Sequence, residues 1–251
     1  MPQDITVVTW NIAGGHTENS AGQFDYSPDE NAQYFIDTLR TKNADIIFLQ
    51  ESHCRADNSL SKRMADALGM QYFETAHHTS HIDSAFNISS AILSKQSVQN
   101  PRAVMLPYPT FEMRFADGRE AAHYDKFMQV AELDGVQLVN MHTQPLSIFG
   151  YDYATGDGLA YTHEIETLLQ SELHTPLLLA GVLNFEHFAE VMPSLSASLH
   201  LKDSLPEVQT RSKGKHIDYL LHSPEFTVKT SGVDQTDSDH YLCWAELRYG
   251  D

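Results

Sequence analysis

The sequence predicts an α/β fold of two packed mixed β-sheets with helices on the outside, in a single domain over residues 1–251. Three observations predict it. Strand-like and helix-like segments alternate in the first part of the chain. Later strand-like segments follow one another with only loops between. No repeat, low-complexity tract or linker divides the chain, and neither a GxGxxG turn nor a GxxxxGK loop marks a nucleotide-binding sheet.

The elements follow in order. Residues 5–12, ITVVTWNI, are apolar on both faces and read as a buried strand. Residues 13–26 read as a polar loop. Ser27 then serves as N-cap, Pro28 as first helical residue, and Glu30 closes a capping box. Ala32, Phe35, Ile36 and Leu39 fall on one face of that helix. Residues 44–52, ADIIFLQES, form the next buried strand, and 59–68 a helix stopped by Gly69. Short strands are predicted at 89–95 and 127–133, and a strand over 136–146 that enters a loop at Pro145. Residues 151–161 read as a glycine-containing loop before a helix around 162–173. A strand over 175–184, a short helix within 185–195, and strands at 216–223 and 240–249 complete the chain.

Composition narrows the function classes. With 251 residues and 41% hydrophobic content, the chain buries a core without disulfides. Its formal charge of −18 opposes non-specific binding to nucleic acid or anionic membranes. Cys54 and Cys243 read as reduced thiols of a cytoplasmic protein. No basic-then-apolar leader opens the chain, and no apolar run is long enough for a transmembrane segment. A serine-hydrolase GxSxG elbow is absent from the sequence.

Polar residues collect where the strands end. Asn11, Gln50-Glu51, Asn140 with His142, and Asn184 close four early strands. His216 with Asp218, and Asp239-His240, open two late ones. If the late strands run opposite to the early ones, all six tips share one edge. Each tip alone has an ordinary reading as a turn asparagine, a solvated carboxylate or a structural histidine. Together they describe a site on a rigid scaffold.

In order, these tips resemble the motifs of the endonuclease/exonuclease/phosphatase family, which includes exonuclease III-like nucleases, pancreatic-type deoxyribonuclease and neutral sphingomyelinases. Thr9-Trp10-Asn11-Ile12, Leu49-Gln50-Glu51, Asn140-Met141-His142-Thr143, Gly181-Val182-Leu183-Asn184, His216-Ile217-Asp218-Tyr219 and Ser238-Asp239-His240 carry the resemblance. It implies a four-layer α/β sandwich and divalent-metal-dependent hydrolysis of a phosphoester, most simply a phosphodiester. It implies Glu51, Asn11 and Asp239 as ligands of Mg²⁺ or Mn²⁺, His240 as general base and Asp218 as its orienter. His142 and Asn184 would contact phosphate oxygens. Arg211, Lys213 and Lys215, three cations within five positions, read either as a phosphate-positioning loop or as a solvated one.

Val182 departs from the pattern, because the family carries aspartate there. Valine moves no proton and offers no lone pair, so a chain working by the family mechanism is expected to be severely impaired. Three explanations stand. The valine is an introduced or accidental inactivating substitution, or it is natural to a relative that binds a phosphorylated ligand without turnover, or Glu186 substitutes for the missing carboxylate. By strand alternation Val182 is expected on the same side as Asn184. A structural or interaction protein that kept the fold ranks below the enzyme and the non-hydrolysing binder. The substrate class stays open among nucleic acid, phospholipid head group and small phosphoester, with the net charge favouring a small or metal-screened one.

Three further features carry weaker readings. His77, His78 and His81, with Asp83, lack the spacing of a zinc site and read as a surface or cleft-rim loop. Tyr151 and Tyr153 read as a substrate-contacting loop or a mobile surface loop. Trp10 and Trp244 read as core.

Overall fold

The computed structural model describes residues 3–18, 23–26, 28–120 and 124–250. Eleven strands longer than two residues build two sheets. They are β1 (Gln3–Asn11), β2 (Ile46–Arg55), β3 (Gln71–Thr79), β4 (Asn87–Ser94), β5 (Gln99–Met105), β6 (Phe127–Leu133), β7 (Val136–His142), β8 (Leu177–Val182), β9 (Asp218–His222), β10 (Phe226–Asp234) and β11 (Leu242–Tyr249). The helices are α1 (Pro28–Arg40), α2 (Leu60–Leu68), α3 (Gly156–Glu172), α4 (Phe188–Val191) and α5 (Pro193–Leu199).

The first sheet runs β10-β11-β1-β2-β4-β3, with the short strand Asn58–Ser59 beside β2. The second begins with the short strand Lys202–Asp203 and continues β9-β8-β7-β6-β5. Apolar residues alternate between the faces of these sheets, so each sheet is sticky on both sides. Val8, Trp10, Ile47, Leu49 and Leu93 pack under α1 and α2. Val7, Ile46, Phe48, Leu138, Leu178, Ala180 and Leu220 meet between the sheets. Val139, Leu177, Leu179 and Leu221 pack under α3, α4 and α5. The result is the expected four-layer α/β sandwich, helices–sheet–sheet–helices.

Local signals held where they were short-range. Ala32, Phe35, Ile36 and Leu39 are buried together on α1. The capping box of Ser27 and Glu30 lies outside the described residues. Ser59 caps α2 by accepting from Lys62 N–H, and Gly69 ends it at φ 68 in the left-handed region. Cys54 and Cys243 are buried free thiols. Among the described residues no helix is long and apolar enough to cross a membrane.

The structure corrects three expectations. Helix α3 begins at Gly156, not near Thr162, and Gly158 in its first turn makes a close backbone contact instead of a loop. A Cβ on Gly158 would lie 2.0 Å from the Asp152 carbonyl oxygen. Tyr153 is buried, and its hydroxyl donates to Gln144 O at 2.5 Å, so it braces the core rather than lining a mobile loop. Tyr151 donates to Glu112 O and packs on Phe111. Residues 185–195 hold α4 and the start of α5, broken where Pro193 opens the second helix.

Asn140 and Gln50 are the fourth difference, because they do not face the site. Both are fully buried between the sheets. Asn140 Nδ2 lies 2.9 Å from Leu49 O, 3.0 Å from Ala91 O and 2.9 Å from Gln129 Oε1, while its Oδ1 accepts from Gln50 Nε2 at 2.7 Å. One amide thus ties the second sheet to two strands of the first. Asn140→Ala leaves several buried polar groups unpaired and is expected to cost about 3 kcal/mol. Chemical denaturation reads this directly, and a loss within error of zero would remove the bracket role.

Candidate active site

The chain directions place the polar tips together. Strands β1 and β2 run parallel, as do β7 and β8, while β11 opposes β1 and β9 opposes β8. The ends of β1, β7 and β8, the middle of β2 (which runs on past Glu51 to Arg55, beyond the expected end) and the starts of the two late strands therefore share an edge, as expected if the late strands run opposite to the early ones.

Glu51 owes its position to a β-bulge. Residues 50 and 51 oppose a single residue of β4, and Glu51 adopts φ 50. The kink turns its carboxylate out of the ladder to within 3.6 Å of His142 Nε2. Asn11 is buried at the end of β1, and its Oδ1 accepts from Ala13 N–H at 3.0 Å. This oxygen shapes the turn after β1, so the amide acts there as a brace as well as a candidate ligand.

His142, Val182 and Asp218 stand in register on β7, β8 and β9. Registered residues on neighbouring strands project from the same face. Two and four positions before Val182, Ala180 and Leu178 face the other sheet, so this row ends the inter-sheet face at its edge. Val182 is buried, yet it belongs to none of the apolar clusters of the described residues. It sits between a histidine and a carboxylate. Asn184 adopts φ 60 past the strand end, and its Nδ2 donates to Thr143 O at 2.9 Å. Strand alternation does not extend to it, so the register, not Asn184, places Val182.

Asp218 and His240 form a tight pair. His240 Nδ1 lies 2.8 and 3.0 Å from the two carboxylate oxygens. Thr210 Oγ1 donates to Asp218 Oδ2 at 2.6 Å and accepts from the backbone N–H groups of Ile217 and Asp218. Trp10 Nε1 donates to His240 O. Burial by itself lowers the imidazole pKa, but the Asp218 carboxylate more than reverses this, and the net shift is upward from 6.5. The sign follows: the folded state holds the imidazolium more firmly than the unfolded chain. The pair stabilises the fold fully below about pH 6.5, and this contribution is lost as pH rises through the higher folded pKa. Asp218→Asn is expected to make His240 titrate at lower pH, read from its imidazole resonances by NMR. An unchanged titration would exclude Asp218 as the cause.

Asp239 reaches the same edge. Burial raises its pKa, the neighbouring Glu51 adds to this, and His240 and Arg211 oppose it. Its Oδ1 is buried without a hydrogen-bond partner, while Oδ2 lies 3.5 Å from Arg211 Nη2. Of the three predicted cations, the structure brings Arg211 to the site. Lys213 and Lys215 are exposed on the turn that follows. His216 is pinned away from the edge, between Asp203 Oδ2 at 2.9 Å and Val208 O at 2.8 Å. Glu186 is exposed and its Oε1 accepts from His216 N–H at 3.4 Å.

Lys126 escaped the sequence reading. It is buried at the start of β6, with Nζ 3.5 Å from His142 Nδ1. Burial lowers its pKa to about 8, against the pull of Glu51. With Lys126 donating to Nδ1, a neutral His142 carries its proton on Nε2, facing Glu51. Burial, then Lys126 and His240, hold the His142 pKa well below its ordinary value. The one signal was a lone lysine immediately before an apolar strand, in a chain with 16 basic residues.

The donor set suits a hard divalent cation. Glu51, Asp239 and Asn11 offer oxygen, and the orphaned Asp239 Oδ1 lacks a partner that an ion or its water would supply. Among the described residues no three of His, Cys, Asp and Glu cage an ion by themselves. Mg²⁺ does not require that, since it retains several waters and takes one or two carboxylates.

The sequence profile of the endonuclease/exonuclease/phosphatase family matches residues 8–240. No curated protein matches the chain by sequence. Solved structures share the fold at low identity. An endonuclease/exonuclease/phosphatase from Beutenbergia cavernae is 18% identical with a TM-score of 0.70, over 99% of this chain and 72% of that one. A 3′ phosphatase from Neisseria, bound to a product DNA hairpin, is 18% identical with a TM-score of 0.64, over 97% and 99%. The human Nocturnin catalytic domain, with bound sulfate, is 16% identical with a TM-score of 0.63, over 98% and 93%. With the profile spanning the chain from β1 to His240, and the strand tips meeting at one edge, this protein belongs to the endonuclease/exonuclease/phosphatase family.

Proposed function

We propose that this chain has the architecture of a divalent-metal-dependent phosphoester hydrolase whose turnover is severely reduced by Val182. Members of the family are metal-dependent phosphoesterases and nucleases. The observation that carries the reading is the registered row His142–Val182–Asp218, with Glu51 and Asp239 at the same edge. His240, oriented by Asp218 and Thr210, takes the proton of the attacking water. His142 Nε2 and Lys126 donate to phosphate oxygens, Asn184 contacts phosphate through its amide, and Arg211 balances Asp239. Glu51 and Asp239, with Asn11, would hold Mg²⁺ or Mn²⁺, which would supply Lewis-acid polarisation of the phosphoryl oxygen and offset developing negative charge.

Val182 favours a second reading, a relative that binds a phosphorylated ligand without turning it over. Calorimetry with Mg²⁺ and Mn²⁺ separates both readings from a scaffold that kept only the fold. Metal binding that is lost in Glu51→Gln is the expected result, and no binding by the unaltered chain would overturn the metal-dependent reading.

A small phosphoester is the favoured substrate class. The net charge of −18 opposes long duplexes, although the Neisseria relative was captured with a DNA hairpin. The chain works as one domain over residues 1–251. Two buried free thiols fit a reducing compartment such as the cytoplasm.

A further inference from the structure

Two consecutive histidines lie beside the site without a role in the hydrolytic machinery. His77 and His78 lie near the end of β3, which runs in the same direction as β2 because both oppose β4. The ends of β2 and β3 therefore lie at the same edge. The register of β3 slips between Ala76 and Thr79, so His77 and His78 oppose a single residue of β4. This second bulge sits near the one that presents Glu51, the two lying in β3 and β2 on either side of β4. A bulge re-aims side chains and breaks the strict alternation of faces. His77 packs against Phe127 and His78 against Tyr124, on either side of Lys126 in sequence, so the charge of Lys126 bears on each histidine and both bear on His142.

Their hydrogen bonds leave one buried atom open. His77 Nε2 is 2.8 Å from Ser90 Oγ, and its ring lies 5.6 Å from that of Phe127, next to Lys126 in sequence. His77 Nδ1 is buried and has no hydrogen-bond partner. A buried imidazole nitrogen without a partner costs stability unless something else satisfies it. His78 donates through Nδ1 to Thr79 O at 2.9 Å and stacks on Tyr124 at 4.2 Å, which fixes the ring. No cation cage explains the pair, because no three metal-binding side chains converge among the described residues. Two histidines and a lysine beside a third histidine suit an anion instead.

We propose that His77, His78 and Lys126 form a second anion subsite beside His142, so that the preferred substrate carries another phosphate group next to the scissile phosphoester. This rests on the phosphoester reading of the site and narrows it to substrates with two neighbouring phosphates. The subsite acts by charge-assisted hydrogen bonds from His77 and His78 to the second phosphate, with Lys126 shared between the two groups. Burial holds the free His77 neutral, with its pKa lowered to about 3, so an arriving anion also offsets the penalty of charging it.

Calorimetry with inorganic phosphate and with pyrophosphate, each with Mg²⁺ in excess, tests this on the unaltered chain. Pyrophosphate is expected to bind about tenfold more tightly than phosphate, the worth of one charge-assisted hydrogen bond. His77→Gln and His78→Ala are each expected to shrink that ratio while phosphate affinity stays within about twofold. His78 is partly exposed, so its variant keeps the test open if His77→Gln folds poorly. The ratio is insensitive to the folded fraction, and a purely structural role for either histidine would not move it. Equal affinity for the two anions, or a ratio preserved in both variants, overturns the subsite alone. Binding of neither anion overturns the phosphoester reading and the subsite together.

Discussion

Val182→Asp is expected to raise Mg²⁺-dependent hydrolysis of an aryl phosphodiester by about 10²–10⁴-fold, the usual worth of a positioned proton-transfer group. The register places the new carboxylate between His142 and Asp218. Activity of this variant is expected to rise with pH as His240, whose pKa Asp218 holds up, loses its proton and becomes a base. The same change is expected to destabilise the metal-free protein. Val182 is 1% exposed, and an aspartate there meets the Asp218 carboxylate on the adjacent strand. A loss of about 3 kcal/mol follows from burying an unpaired charge. Melting curves would show a fall of about 6–12 °C for a chain of this size, partly recovered by Mg²⁺. If the rate does not change while Glu51→Ala abolishes what activity there is, Val182 is not the lesion.

Gly181→Ala is expected to be the most damaging small substitution next to the site. Gly181 pairs with Met141 and adopts φ 134, and a Cβ there would lie 1.9 Å from the Met141 carbonyl oxygen. The strained backbone and the clash act together, since neither strand can retreat from the middle of a sheet. A cost of about 4 kcal/mol or more is expected, which lowers the melting temperature by at least about 8 °C. Gly69→Ala is the control. Gly69 also has a positive φ, 68, but nothing lies within 4 Å of its added Cβ, so only the backbone penalty of about 1 kcal/mol applies. Equal losses in the two variants would show that the Met141 contact is not what demands glycine at 181.

The strands that sequence reading found and those it missed differ in one physical respect. Those found are buried on at least one face by apolar residues. The three long strands it missed, β3, β5 and β10, are all edge strands. Strand β5 is exposed along most of its length and contains Pro101, a residue an edge tolerates. Such segments carry little apolar periodicity because only one neighbour and a partial cover hold them. Polar tips were similarly mixed. Asn11, Glu51, His142, Asp218, Asp239 and His240 meet at the edge, whereas Asn140 and Gln50, equally polar, turned inward to bridge the sheets. Asn140 lies two residues before His142 and Gln50 one before Glu51, and only the packing of the second sheet against the first separates their fates.

By itself, the sequence determined the buried strands, the amphipathic helices and the order of the polar tips. These are written in local composition and periodicity, which each segment carries alone. The tertiary structure decided the rest: the bulges that aim Glu51, His77 and His78, the burial of Lys126 against His142, and the register that sets Val182 between His142 and Asp218. Each depends on which residue of a distant strand lies opposite. That pairing is settled by long-range packing and hydrogen bonding between segments that local periodicity does not connect.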